Sequence, residues 1–137
     1  MSLDGASLLV GLGRFVGDSW ASTTTSAGNA GGTTLVDTGL SRMGDDGWRD
    51  YFIRLTSGSA TLEIRKITDF VSSTGTVTVL PAFSAQVASA VTYQLHRYDP
   101  AEKFKCLDDA RIRAYPDLGI LRFIDTLTSD GVSTAWD

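Results

Sequence analysis

Between Thr33 and Arg97 the chain is broken again and again by glycine and serine into short segments rich in β-branched and aromatic residues, and this limits the fold more than any other feature. Strands fit between such breaks; long helices do not. The segments predict strands over Thr34 to Asp37, Tyr51 to Thr56, Thr61 to Thr68, Thr76 to Leu80 and Val91 to Arg97. Alternation assigns their faces. Phe52 and Arg54 oppose Tyr51, Ile53 and Leu55; Leu62, Ile64 and Lys66 oppose Glu63, Arg65 and Ile67; Val77 and Val79 share one side. Ser57-Gly58-Ser59 and Ser73-Thr74-Gly75 have the composition of hairpin turns, so a meander follows. Pro81 stops regular pairing and frees Phe83 to fold back over the core.

One helix is written plainly. Asp99 is a good N-cap, Pro100 stands at the first helical position, where a missing N–H costs nothing, and Glu102 completes a capping-box pattern. Phe104, Leu107, Ala110 and Ala114 then form an apolar stripe, with Lys103, Asp109, Arg111 and Arg113 mostly off it. Pro116 disfavours helical geometry at Tyr115, which predicts a helix over 99–116. Beyond it, Ile120 to Leu127 reads as a strand, Ser129-Asp130-Gly131 as a turn and Val132 to Trp136 as a return strand. That final edge is expected to be completed by another subunit or by further chain. Residues 117–137 are thus a trailing β-hairpin or the start of a second β domain.

The N-terminal third lacks such patterning. Residues 17–34 carry almost no large side chain apart from Trp20, so residues 1–34 read as a flexible arm ahead of a β domain over 35–98. The fold class expected is mostly β: a small antiparallel β-sandwich or barrel-like meander with one C-terminal α-helix and a trailing β-hairpin.

Composition removes whole classes of function. With 42% apolar and 20% charged residues, the chain matches neither disordered nor membrane proteins, and Leu8 to Val10 is too short an apolar run for a signal peptide or a span. A net charge of −4 without a Lys/Arg cluster gives no source for nucleic-acid affinity. Cys106 is the only cysteine, which excludes an internal disulfide and the usual structural zinc site.

Motifs with chemistry are sparse. Leu8 to Gly17, LLVGLGRFVG, loosely matches a dinucleotide fingerprint, but no helix is read after Gly17 to hold a pyrophosphate. His96 is the only histidine; it lies in an alternating strand, has no nucleophile elbow beside it, and is expected on the strand surface. Cys106 reads as a small, partly buried hydrophobe. Asp45-Asp46 and Asp108-Asp109 lack the spacing of a calcium loop and read as surface charge. No catalytic, cofactor or metal residues are therefore assigned. Trp20, Trp48 and Trp136 stand in or beside polar, glycine-containing segments where a core position is not obvious. Together with Phe104 and Leu107 they are the expected subunit-interface residues.

The run from Trp48 to Tyr93, with YFIRLTSG (51–58), EIRKIT (63–68), GTVTV (75–79), PAF (81–83) and Thr92-Tyr93, resembles small β modules in virion proteins of tailed bacteriophages. Ala114-Tyr115-Pro116-Asp117-Leu118 followed by Asp125-Thr126-Leu127-Thr128 is similar to the junction from such a module, through a helix, into a second β domain. The resemblance implies a structural protein of the virion, placed in neck, tail or fibre attachment, whose partners are copies of itself and other phage structural proteins. It brings no catalytic residues with it, and no cofactor and no nucleic-acid, membrane or small-molecule partner is expected. A capsid decoration protein and a carbohydrate-binding β module, the latter with Trp48, Tyr51 and Tyr93 on one face, are the competing expectations.

Overall fold

The computed structural model describes residues 5–126. Six strands form one antiparallel sheet: β1 Ser19–Thr23, β2 Thr34–Val36, β3 Phe52–Leu55, β4 Ile64–Val71, β5 Thr76–Leu80 and β6 Thr92–His96, in the order β1-β6-β3-β4-β5-β2. Two α-helices flank it in sequence, α1 Gly5–Val16 and α2 Pro100–Thr126, and a 3-10 helix spans Thr38–Arg42.

The expected alternation sets the inner face. Leu35, Ile53, Leu55, Val77, Val79, Tyr93 and Leu95 all point into one apolar core, and Phe83 closes over it after Pro81, as expected. Strand β4 keeps this inward pattern by a bulge. Ile67 pairs with Val79 but Asp69 with Thr78, so Thr68 is an extra residue, and Ile67 and Phe70 both turn inward although three positions apart. The strand therefore runs to Val71 rather than ending at Thr68. Asp46 and Asp50, both at positive φ, donate their N–H groups to Phe70 O and Ile67 O and so fasten the preceding loop across the bulge.

The described part of the expected arm, residues 5–34, is built into the fold. Residues 19–23 pair along their whole length with β6, Thr25 N–H donates to Val36 O (2.9 Å), and Ser26 bridges Val36. Backbone hydrogen bonds hold this stretch where the scarcity of large side chains predicted looseness. Before it stands a helix that was not expected. Helix α1 ends at Gly17 (φ +70), from which Asp18 N–H reaches back to Gly13 O (3.1 Å), the 6→1 bond of a Schellman motif. The glycines that resemble a nucleotide loop are thus helix residues and a helix stop. Gly13 lies so near β1 that an added Cβ would meet Ser19 Oγ at 2.7 Å.

Helix α2 starts where expected, with Ala101 N–H donating to Asp99 Oδ1 (2.8 Å), but it passes Pro116 and runs to Thr126. Proline removes one backbone bond and constrains its predecessor without always ending a helix; the strand expected over Ile120 to Leu127 falls in this helix through Thr126. The expected turn and return strand, with Trp136, lie outside the described residues. Among the described helices none is long and apolar enough to cross a membrane.

A buried carboxylate ties the two ends of the sheet together. Asp37, 1% exposed, accepts from Ser22 Oγ (2.6 Å), Tyr93 Oη (2.5 Å) and Gly39 N–H (2.8 Å), while its own N–H donates to Gly75 O (2.9 Å). Burial, then the hydrogen bond to Asp37, pushes the Tyr93 hydroxyl far above its ordinary range, so it stays a donor. Gly75 (φ +64) is required here, since a Cβ would sit 2.2 Å from Asp37 O. Asp37→Ala is expected to cost about 3 kcal/mol, because it strands a buried hydroxyl and an uncapped N–H, whereas Tyr93→Phe removes one bond for about 1 kcal/mol; urea denaturation of the two variants measures the difference.

Candidate functional site

The outer face of the sheet carries a second, smaller and partly ionic core. Register places Ser19, His96 and Phe52 in one row across β1, β6 and β3, and Ala21, Gln94 and Arg54 in the next. The helices lie over this end. Leu9 of α1 is fully buried, and Phe104 of α2 packs under Arg54, whose guanidinium lies 5.6 Å from the ring centroid.

Lys103 is the surprise of this layer. Expected off the apolar stripe, it is 9% exposed, and its ammonium donates to Asp18 Oδ2 and lies 3.2 Å from His96 Nδ1. The signal was present in the sequence: 103, 107, 110 and 114 follow helical spacing as well as the stripe beginning at Phe104 does. His96, expected on the strand surface, is fully buried for the same reason, its outward side chain being roofed by α2. Facing a charged ammonium, Nδ1 must accept, so the ring proton sits on Nε2, which has no hydrogen-bond partner, as is true of Asp18 Oδ1. Burial, reinforced by the Lys103 charge, lowers the His96 pKa from 6.5 to about 4. A neutral, sealed imidazole has no surface from which to exchange protons with a substrate. The three side chains join α2 to the end of β6 and to the residue ahead of β1.

The expected interface residues separate into two places. Trp20 and Trp48 come together at one mouth of the inner core: their rings lie 6.5 Å apart, and Trp48 packs edge-on against Tyr51 at 5.3 Å. Trp48 Nε1 donates to Leu40 O (3.2 Å), and the Arg42 guanidinium stacks 5.3 Å from the centre of Trp20. With Asp18, Ser19, Leu95 and Arg97 these rings line a cleft of 180 Å³. That volume takes one side chain rather than a cofactor. Neither Arg42 nor Arg97 has an ion-pair partner among the described residues, whereas Asp18 is already matched by Lys103. Phe104 and Leu107 lie elsewhere, half-buried on α2.

Other candidates resolve simply. Tyr93 is buried in the core against which Trp48 and Tyr51 pack, so it adds nothing to an exposed aromatic face. Cys106 is exposed rather than partly buried, because the sheet covers only the side of α2 that holds Lys103 and Phe104. Asp45 is more than surface charge: it accepts from Ser72 N–H and Oγ (both 2.7 Å), which lowers its pKa and pins its loop to the β4–β5 turn. Among the described residues no group of three His, Cys, Asp or Glu side chains is placed to hold a metal ion.

The buried imidazole gives a pH signature. Unfolded, His96 binds its proton near pH 6.5; folded, only near 4, so its contribution is complete above 6.5 and lost as pH falls toward 4, by about 3 kcal/mol in all. The stability difference between the native chain and His96→Gln, followed by urea denaturation from pH 7 to 4, is expected to shrink over that window. Lys103→Met is expected to destabilise by about 3–5 kcal/mol through the unpaired Asp18 carboxylate, and Asp18→Asn in the same chain to restore much of it.

No protein-family model, curated protein or solved structure matches this chain.

Proposed function

We propose that this chain is a structural protein of a tailed-phage virion, acting as symmetric copies that bind one another and neighbouring neck, tail or fibre proteins. The observation that carries this reading is apolar surface left uncovered on both helices. Phe15 is 92% exposed, Val16 53% and Leu8 40% on α1, and Ile112 is 61% exposed on α2. Exposed apolar side chains grouped on packed elements mark contact surfaces, whereas isolated ones need no explanation. Helix α2 adds reach: 27 residues at ~1.5 Å per residue give a rod of roughly 40 Å. The resemblance of the Trp48–Tyr93 run to phage β modules supplies the setting, and residence in the virion follows from it.

The finer architecture belongs to the same reading. The bonds of Thr25 and Ser26 to Val36 draw the strand ends of β1 and β2 toward each other, which favours a barrel-like closure over a sandwich of two sheets.

Light scattering tests the assembly. The full chain is expected to be a discrete oligomer at micromolar concentration, a trimer favouring fibre attachment or capsid decoration and a ring of six or twelve favouring the head-to-tail axis. Phe15→Glu with Ile112→Glu is expected to give monomers of unchanged far-ultraviolet circular dichroism. A native chain that stays monomeric at hundreds of micromolar overturns the reading.

A further inference from the structure

We propose that the open edge of β1, with the aromatic cleft beside it, receives an extended segment of a partner protein in which an acidic residue neighbours an apolar one. The inference rests on reading the chain as a module that packs against other proteins, and it adds where one partner binds and what that partner carries.

Hydrogen-bond parity defines the edge. Thr24 N–H donates to Val91 O and Arg97 N–H to Asp18 O, so even-numbered residues of this strand exchange bonds with β6. Antiparallel alternation then turns the N–H and C=O groups of Ser19, Ala21 and Thr23 outward. Thr25, next in that series, spends its N–H on Val36 O; before it, the outward groups have no hydrogen-bond partner among the described residues. The opposite edge differs, because Val36 O and the Thr34 hydroxyl are occupied by residues 25–29. Natural sheets blunt free edges with charge, proline or bulges. The β1 sequence, SWAST, has none of these, and Ala21 and Thr23 are exposed.

The cleft supplies selectivity. It opens at the start of the same strand, its volume suits one apolar side chain between Trp20 and Tyr51, and Arg42 and Arg97 beside it carry positive charge with no ion-pair partner among the described residues, on a chain of net charge −4. Strand addition of this kind takes affinity from main-chain bonds and specificity from alternate side chains. An acidic residue next to the anchor matches the two guanidiniums.

The probes are two blocked ten-residue peptides, one alternating valine with glutamate and the other valine with lysine, titrated into the ¹⁵N-labelled full chain. The glutamate peptide is expected to shift and protect the amides of Ser19, Ala21 and Thr23, and the lysine peptide to bind at least tenfold more weakly. Ala21→Pro removes an outward N–H without touching the β6 ladder and is expected to abolish binding. N-methylation of alternate peptide residues gives the same loss with the protein unaltered. Equal binding of both peptides, shifts that avoid β1, or protection of these amides by a second copy on raising chain concentration alone would each overturn the proposal. Light scattering on the same samples separates the two ideas: an oligomer that ignores the peptides sinks only the strand site, while a monomer that binds the glutamate peptide sinks only the self-assembly.

Discussion

Asp37 sits where four parts of the fold meet. Its carboxylate takes hydrogen bonds from β1, from β6 and from the 3-10 helix, and its backbone takes one more partner from the β4–β5 turn. The farthest of these partners lies 56 residues from Asp37 in sequence, and the sheet order β1-β6-β3-β4-β5-β2 leaves its first and last strands unpaired to each other over most of their length. A charged group buried to this degree is tolerable only with its lone pairs satisfied, and every satisfying donor must then be in place at once. The apolar core beneath is permissive about detail; this cluster is not. It makes the arrangement of the sheet ends an all-or-none property of the fold.

The outer layer applies the same principle with less complete satisfaction. Asp18 and Lys103 neutralise each other, yet one carboxylate oxygen and one imidazole nitrogen remain without partners. Such a pair contributes little net stability compared with an apolar substitute, but it discriminates strongly among ways of seating α2 on the sheet. Only one rotation of the helix brings the ammonium to both acceptors. Farther along the helix, Cys106 and Ile112 face solvent.

The strands were legible because period-two alternation and glycine or serine turns act within a few residues. Thr76 to Leu80 appears with the predicted bounds, and Tyr51 to Thr56 and Val91 to Arg97 differ from the observed strands by one residue at each end. What escaped was set by distant partners. Nothing near residues 19–23 announces an edge strand, because the β6 ladder that holds it lies 69 to 77 residues later. His96 alternates as a surface residue would; its burial is decided by a helix that begins after it. The bulge at Thr68 breaks the alternation of β4, since a regular ladder carried through the extra residue would send Phe70 outward. In α1 the glycines drew attention from the apolar helix around them. At the site, Trp20 and Trp48, two of the expected interface residues, do meet, whereas Arg97 joins the cleft lining and Arg42 stacks on Trp20 only through the fold.

The bulge also marks where this sheet can lose length. Removing Thr68 alone would bring Ile67 and Phe70 to neighbouring positions on one side of a regular ladder, leaving every inward side chain of β4 inward; the adjustment would fall on the loop whose Asp46 and Asp50 amides span the two carbonyls. A one-residue deletion elsewhere in the strand reverses the sidedness of all that follows. Length variation in homologous chains is therefore expected to concentrate at this single point of β4, together with compensating changes between residues 46 and 50.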